Sequence, residues 1–538
     1  MGTVLTPILS ATKGTSRAYN VGMAETYSWV PIEGEALGRP LYARASYIAN
    51  FSDMAVTLSA GDVSIGAVTI KDNNSGLNAD VVDIPGYGAG LQVLTQDLES
   101  TIDDITIGDK NSNYVTVDSV LSSLHVQVTN VDNEPVKTAY ADGPNIDAFG
   151  RLRISDPKTL VDAKHLYDKL PLLFYEKLSG TATSTFSAND SMVVMATNAQ
   201  NSYVIRQSRY HFNYQPGKSL QAYFTGKLYP QAGITKRMGL YQSLSSSPTT
   251  PTDGIYLEVT ENGATFNIAK AQGTPHSMTF PQSAWNVDKL DGTGISGVTI
   301  ALSAAQIFVL DYEWLSLGRV RFGFIQSGKV HYAHYVNHIN DLDRPYITSP
   351  NQPIRYEIIQ TGPTPGELFH ICSTVMIEGG EENIGKPIAL SDGEVADIEL
   401  TRAKALLGVR LKPLAHDSTV VLKAVEVINL GSAPGRFEVI LNPTYVSTPF
   451  TWTDTENAAV QFSTGGAFVS GGYVLYRGFL PAGVGGTTTE AVLPLVGEIT
   501  KLGINIDDTP DIIVVAGRSF ADNAKTKMAG IMNLLERS

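Results

Sequence analysis

Apolar and polar positions alternate with a period of two over much of this chain, the pattern of strands that bury one face and wet the other. In SRYHFNYQPGKSLQAYFTGKLY (208–229), Leu220, Ala222 and Phe224 alternate with Gln221, Tyr223 and Thr225 after a turn signal at Gln215-Pro-Gly-Lys. GRVRFGFIQSGKVHYAHYVNH (318–338) repeats the design. Val320, Phe322 and Phe324 point one way, Gln326-Ser-Gly-Lys turns, and Val330, Tyr332 and Val336 are expected to share a face on return. DGIYLEVTENGATFNIAK (253–270) turns at Glu261-Asn-Gly. Three hairpins at close intervals predict an antiparallel sandwich of jelly-roll or lectin-like type over 165–380.

The flanks read differently. Residues 1–55 carry Pro7, Pro31 and Pro40 with scattered aromatics and no period, which predicts an extended, irregular arm. From 56 to 146 the alternating runs are short (63–72, 103–119, 122–130), which predicts a slender β-module. Strands this short need repetition or a neighbouring chain to cover them. A junction spans 147–164. Beyond an acidic linker near 380, the runs STVVLKAVEVINL, GRFEVILNPTYV and GGYVLYRGFLP predict a smaller β-domain over 381–538. Its last stretch, 519–538, changes period. Ser519 suits an N-cap, and Ala524, Met528, Ile531 and Leu535 recur at helical spacing, so a terminal amphipathic helix is expected. The fold class is therefore mainly β and multidomain.

Composition agrees with that class. The 49 glycines and 24 tyrosines of 538 residues suit turns and pleated surfaces, and charged residues at 17% fall below the usual ~25%. With 39 Lys and Arg against 53 Asp and Glu, the net charge of −14 repels phosphate backbones and argues against nucleic-acid binding as the main role. The single Cys372 excludes a disulfide framework and a cysteine-rich zinc site. The opening MGTVLTPILSATKG lacks the basic-then-apolar layout of a secretory signal, and no run approaches the ~20 apolar residues of a membrane span. Membrane insertion is not expected.

Motifs for chemistry are sparse. HYAHYVNH sets His334 and His338 four apart, as metal ligands would stand on a helix. The surrounding period is that of a strand, so packing explains them better and no metal is expected. DKLDGTG (288–294) has a loose calcium-loop flavour without the closing glutamate, and Asx turns account for it. Glu313 or Glu357 paired with another carboxylate would be needed for glycosidase work, which only geometry can test. There is no G-x-S-x-G, P-loop or C-x-x-C, so neither a catalytic residue nor a cofactor is expected. Tyr210, Tyr214, Tyr223 and Tyr229 cluster in one predicted hairpin and are candidate glycan contacts, with packing the simpler reading.

DAFGRLRISDPKTLVDAK (147–164) resembles a segment carried by virion structural proteins of tailed bacteriophages, Asn/Asp-x-Phe-Gly-Arg-x-Arg-x-Ser before a β-rich domain. The run 283–338 and YITSPNQPIRYEI (346–358) look like the same group, so the resemblance covers about 145–380. It implies a non-enzymatic virion component, assembled in the host cytoplasm, of tail, baseplate, tail fibre or head fibre. Its partners would be other virion proteins and further copies of itself, a homotrimer being preferred. Rival readings are a host-attachment adhesin for surface glycans, a decoration protein, and a glycan-degrading tailspike. On this view Phe149, Arg151, Leu152, Arg153 and Ile154 form the junction. Leu152 and Ile154 are expected to close the bottom of the sandwich, and the two arginines to pair with carboxylates of the acidic N-terminal module, of the same chain or a neighbour.

Overall fold

The computed structural model describes residues 145–537 except Phe149, 271–276, 381–383, 392–395, 399–401, Leu414, 483–488, 495–500 and 522–525, together with the backbone of eight strands within 18–125. The chain divides into two compact units, 1–139 and 140–538. In the first, Ala18–Val21, Glu25–Ala36 and Arg39–Ser46 form an antiparallel sheet where an irregular arm was expected. Asp80–Ile84 pairs with Gly88–Gln92, and Asp104–Gly108, Tyr114–Asp118 and Ser123–His125 form a third small sheet. The predicted strand at 63–72 lies outside the described residues.

The second unit contains two β-sandwiches. In the first, one sheet runs Phe174–Ser179, Tyr203–Ser208, Ile354–Gln360, Ile234–Ser243, Pro251–Thr260, Gly263–Lys270 and Met278–Pro281. The other runs Thr183–Ser187, Met192–Thr197, Gly366–Ile377, Leu220–Lys227, Gln306–Tyr312, Val320–Gln326 and Lys329–Val336, with Lys158–Lys164 also paired to Gly366–Ile377. The pairings are antiparallel and the chain passes repeatedly from sheet to sheet, which gives the sandwich its jelly-roll, lectin-like character. Between the sheets Phe224, Phe266, Phe308, Phe322 and Trp285 stack, with ring centroids 4.2 Å apart for Phe266–Trp285 and 4.6 Å for Phe266–Phe322. Aromatic faces packed this way add to the stability of simple burial.

Two of the three predicted hairpins are present, Pro251–Thr260 with Gly263–Lys270 and Val320–Gln326 with Lys329–Val336. The third is not. Its second half is the strand Leu220–Lys227, but residues 209–219 form no strand, and the strand before them belongs to the opposite sheet. The Gln215 turn closes through Lys218 N–H to Gln215 O, and links the two layers. The return strand also departs from strict alternation. A register shift between Phe322 and Gly323 leaves Val336 in the core but carries Tyr332 to the outer face.

The C-terminal sandwich packs Lys386–Ser391, Thr526–Arg537, Thr419–Asn429 and Thr489–Pro494, with Ala396–Ile398, over a second sheet. That sheet runs Tyr445–Val446, Phe468–Ser470, Ala403–Leu411, Ile512–Ser519, Gly435–Leu441 and Tyr473–Leu480, with Val460–Thr464 and Thr453–Asp454 beside it. The expected terminal helix is instead the strand Thr526–Arg537, hydrogen-bonded on both sides. Met528, Gly530, Met532 and Leu534 alternate inward, whereas Ile531, one of the residues that suggested helical spacing, is 36% exposed. Both periods coexist in these residues, and the two flanking strands, left unpaired by a helix, decide between them. Ser519 ends a strand, and its hydroxyl accepts the N–H of Ala521 in a turn.

The two sandwiches meet through buried polar contacts. Asp511 receives the guanidinium of Arg209, the hydroxyl of Tyr175 and the amide of Asn442. Asn351 donates to Asp417 O at 2.8 Å, and Lys501 lies 4.8 Å from the Tyr210 ring centre.

Candidate functional site

The 145–155 segment is a tight loop held by charge. An isolated bridge pairs Ile146 with Leu152, and Asp147 N–H bonds to Arg151 O at 2.8 Å. Gly150 has φ +78°, a left-handed turn position that disfavours a side chain. Asp147 closes the loop, its carboxylate accepting from Arg151 N (2.8 Å) and Arg151 Nε (2.6 Å). The motif's Asp, Gly and first Arg thus have local structural roles. Phe149 lies outside the described residues.

Below this loop is the outer face of the sheet that contains Gln306–Tyr312. On that strand Phe308, Leu310 and Tyr312 face the core, so Asp311 must face outward. It is nevertheless fully buried, because the loop covers it. Asp311 accepts from Arg321 Nη2 (2.5 Å), Arg153 Nη2, Tyr332 OH (2.7 Å), Ser219 Oγ (2.7 Å) and Gln221 Nε2 (3.3 Å). Arg153 also reaches Glu378, and both Arg153 Nε and Arg321 Nη2 donate to Ile146 O. Burial by itself would raise the Asp311 pKa, but Arg321 and Arg153 outweigh it and hold the carboxyl below its ordinary value. Arg153 loses by burial and gains more from Asp311 and Glu378, so its pKa rises. The cluster is a charge lock between loop and sheet.

Glu313 sits at the rim of the lock. Arg151 Nη2 lies 3.2 Å from Glu313 Oε1, while Asp147 holds the same guanidinium more closely. Glu313 Oε2 is buried without a hydrogen-bond partner. Burial, then the neighbouring Asp147, push the Glu313 carboxyl up to about 8, with Arg151 only partly opposing.

The junction expectation is therefore reversed in orientation. Arg153 turns inward onto carboxylates of the central sandwich, Arg151 reaches Glu313 from the rim with its side chain 54% exposed, and Leu152 (41%) and Ile154 (86%) are exposed. Alternation fixes that these pairs oppose each other; the acids on the sheet beneath decide which pair is inside. Asp311, in the apolar run FVLDYEWL, was the missed residue. An acid on the outward phase of an otherwise apolar strand was its signal.

Other candidates disperse. Tyr210 and Tyr214 are buried (4% and 5%) and cannot lie against a sugar. Tyr214 stacks on Tyr312, and its hydroxyl accepts the N–H of Trp314. Tyr223 is half-buried on the outer sheet face, and Tyr229 lies beyond the strand end with Lys236 Nζ 3.3 Å from its ring centre. His334 accepts from Asn286 N–H and packs on Phe280, whereas His338 bonds Gly318 O at 2.6 Å and stacks on Tyr346 at 4.1 Å. They are held by separate neighbours, and no group of three metal-ligating side chains occurs among the described residues. Asp288 and Asp291 bond their own loop's N–H groups as Asx turns do. Glu357 lies in the opposite sheet from Glu313, held by Arg355 and Arg237.

No family model matches the chain, and no curated protein matches it. Among solved structures it is similar to the carbohydrate recognition domain of Emp47p, with 13% identity over 41% of this chain and 95% of that one and a TM-score of 0.27. It is also similar to a Bacillus licheniformis beta-glucanase (10% identity, 41% of this chain, 98% of that one, TM-score 0.27). A legume lectin-like domain from Entamoeba histolytica matches at 10% identity over 40% of this chain and 95% of that one, with a TM-score of 0.26. At this level of identity and superposition the likeness says nothing of what this chain binds.

Proposed function

We propose that the protein is a non-enzymatic structural component of a tailed-bacteriophage particle, working through contacts with further copies of itself and with other virion proteins. The observation that carries this reading is the lock at 145–155. The buried Arg321, the part-buried Arg153 and the exposed Arg151 fasten the loop that leads into the sandwich, and that loop presents Leu152 and Ile154 outward. A rigidly seated loop with its apolar side chains exposed is suited to transmit force and to bind a neighbouring chain. The resemblance of the same segment to virion proteins supports the assignment. A homotrimer is the preferred assembly, because the short strands of the N-terminal unit gain cover from neighbouring copies.

The test is cryo-electron microscopy of the purified particle, with this chain sought in the density, alongside the solution mass of the purified protein. The chain is expected at defined positions in the particle and as a trimer in solution. Absence from purified particles overturns the assignment, and a stable monomer removes the trimer.

A further inference from the structure

The sheet that carries the lock has a second cluster on its outer face, near the other end of the strand Leu220–Lys227. Leu220, Ala222 and Phe224 face the core, so alternation turns Lys227 outward. On the neighbouring strand Gly366–Ile377, Leu368 faces the core, and Glu367 and Phe369 face out with Lys227. Lys227 and Phe369 are direct cross-strand partners. The Lys227 ammonium lies 5.4 Å from the Phe369 ring centre and 5.5 Å from that of Tyr229, just past the strand end. Lys236 holds Tyr229 from behind. Its buried Nζ donates to Tyr229 O at 2.8 Å and to Gln231 Oε1 at 3.2 Å, and lies 3.3 Å from the ring centre.

Lys227, Tyr229, Glu367 and Phe369 line an open pocket of about 270 Å³. Ser303 joins them from the turn that Ala304 N–H closes onto Ala301 O. Among the described residues, neither the Lys227 ammonium nor the Glu367 carboxylate takes part in a hydrogen bond or an ion pair. A donor and an acceptor thus stand uncommitted beside two aromatic rings, one of them fixed in place by a buried amine. Strand alternation alone does not require that grouping, and the lock uses none of these residues.

We propose that this pocket binds a neutral saccharide through one pyranose ring. Such a ring has an apolar face of C–H groups and a rim of hydroxyls that both donate and accept. The C–H face packs on Phe369 and Tyr229. Of two neighbouring hydroxyls, one donates to Glu367 and the other accepts from Lys227, whose flexible stem lets the ammonium move off the rings as the sugar enters. Ser303 meets a third hydroxyl. Charge selects the neutral form, because Lys227 and Glu367 balance each other. Lys236 adds little to that balance at neutral pH, since burial brings its pKa down to about 7. A carboxylate on the sugar would face Glu367, and an ammonium would face Lys227. A wholly apolar ligand would cover both charged groups and pair neither. The site holds whatever the role of the whole chain, and its failure leaves the virion assignment standing.

The test is ligand-detected NMR titration of the full-length protein with glucose, galactose, mannose and N-acetylglucosamine. Glucuronic acid, glucosamine and glycerol serve as comparators. At least one neutral sugar is expected to bind with a Kd of about 1–10 mM, the range open to a ligand of this size on one shallow face. The two charged sugars should bind at least about three-fold more weakly than the tightest neutral one, and glycerol, which has hydroxyls but no ring face, weaker still. Glu367→Ala and Lys227→Met should each weaken that sugar by about ten-fold, and Phe369→Ala by about five-fold. Arg344→Gln, an exposed change in a loop outside the pocket, should leave it unchanged. Should Phe369→Ala not fold, Phe369→Leu keeps an apolar side chain, loses the flat face and is expected to bind more weakly than the parent. The proposal is overturned if no neutral sugar binds below about 50 mM. It is equally overturned if glycerol binds as well as the hexoses, if a charged sugar binds tightest, or if the folded pocket variants keep full affinity.

Discussion

The outer faces of the two large sheets use arginine in opposite ways. In the central sandwich Arg151, Arg153 and Arg321 meet Asp147, Asp311, Glu313 and Glu378, and a loop seals most of the cluster from water. In the C-terminal sandwich Arg402, Arg436, Arg477 and Arg518 line a pocket in which Glu438 is the one acid among the described residues. The same side chain is sealed among several acids in one place and lines an open pocket in the other. What separates them, among the described residues, is the number of carboxylates that line each cluster.

The largest effect should come from breaking the sealed face. Asp311→Asn keeps the shape but removes the charge on which Arg321 and Arg153 converge. A buried pair that loses one partner costs about 3–5 kcal/mol, because the remaining charge stays out of water. Urea unfolding of variant and parent measures this. A loss below about 1 kcal/mol would mean that the cluster is no lock.

Much of this architecture is legible in the chain. The sandwich follows from runs such as Val320, Phe322 and Phe324, where one face is apolar and turns stand at both ends. The strand Thr526–Arg537 was not legible, because Met528 and Met532 satisfy both a four-residue and a two-residue period. Only its pairing with Lys386–Ser391 and Thr419–Asn429, far apart in sequence, separates them. The junction was recognisable as a special segment but not its orientation, since Glu378 and Asp311 lie 225 and 158 residues from Arg153. The arginine pocket gave no motif at all. Its members come from four segments that become neighbours only through register.

A smaller effect should sharpen the description of the lock's rim. The Glu313 carboxyl, raised to about 8, is favoured in its protonated form in the folded chain. A carboxyl raised above its unfolded value of about 4.3 contributes stability that is present at low pH and lost as pH climbs through that value toward 8. Glu313→Gln is a permanent mimic of the protonated acid. The parent should therefore lose stability relative to the variant between pH 5 and pH 8, by at most about 1.4 kcal/mol per pH unit. Thermal melting across that range checks it, and parallel curves for the two proteins would show that Glu313 is charged throughout.

The smallest effect is expected on the open face, at Arg477. Its side chain is 61% exposed and opposes Glu438 at 2.9 Å, so its ion pair is screened by water. Arg477→Gln should change stability by no more than about 0.5 kcal/mol, the usual scale of a surface pair. Glu438 keeps Arg436 as a partner after the change, so no buried carboxylate is stranded. Urea unfolding under the conditions used for Asp311→Asn gives the two numbers side by side. A cost for Arg477→Gln approaching that of Asp311→Asn would mean that the C-terminal arginines hold the sheet together, and the division between sealed and open arginines would then fail.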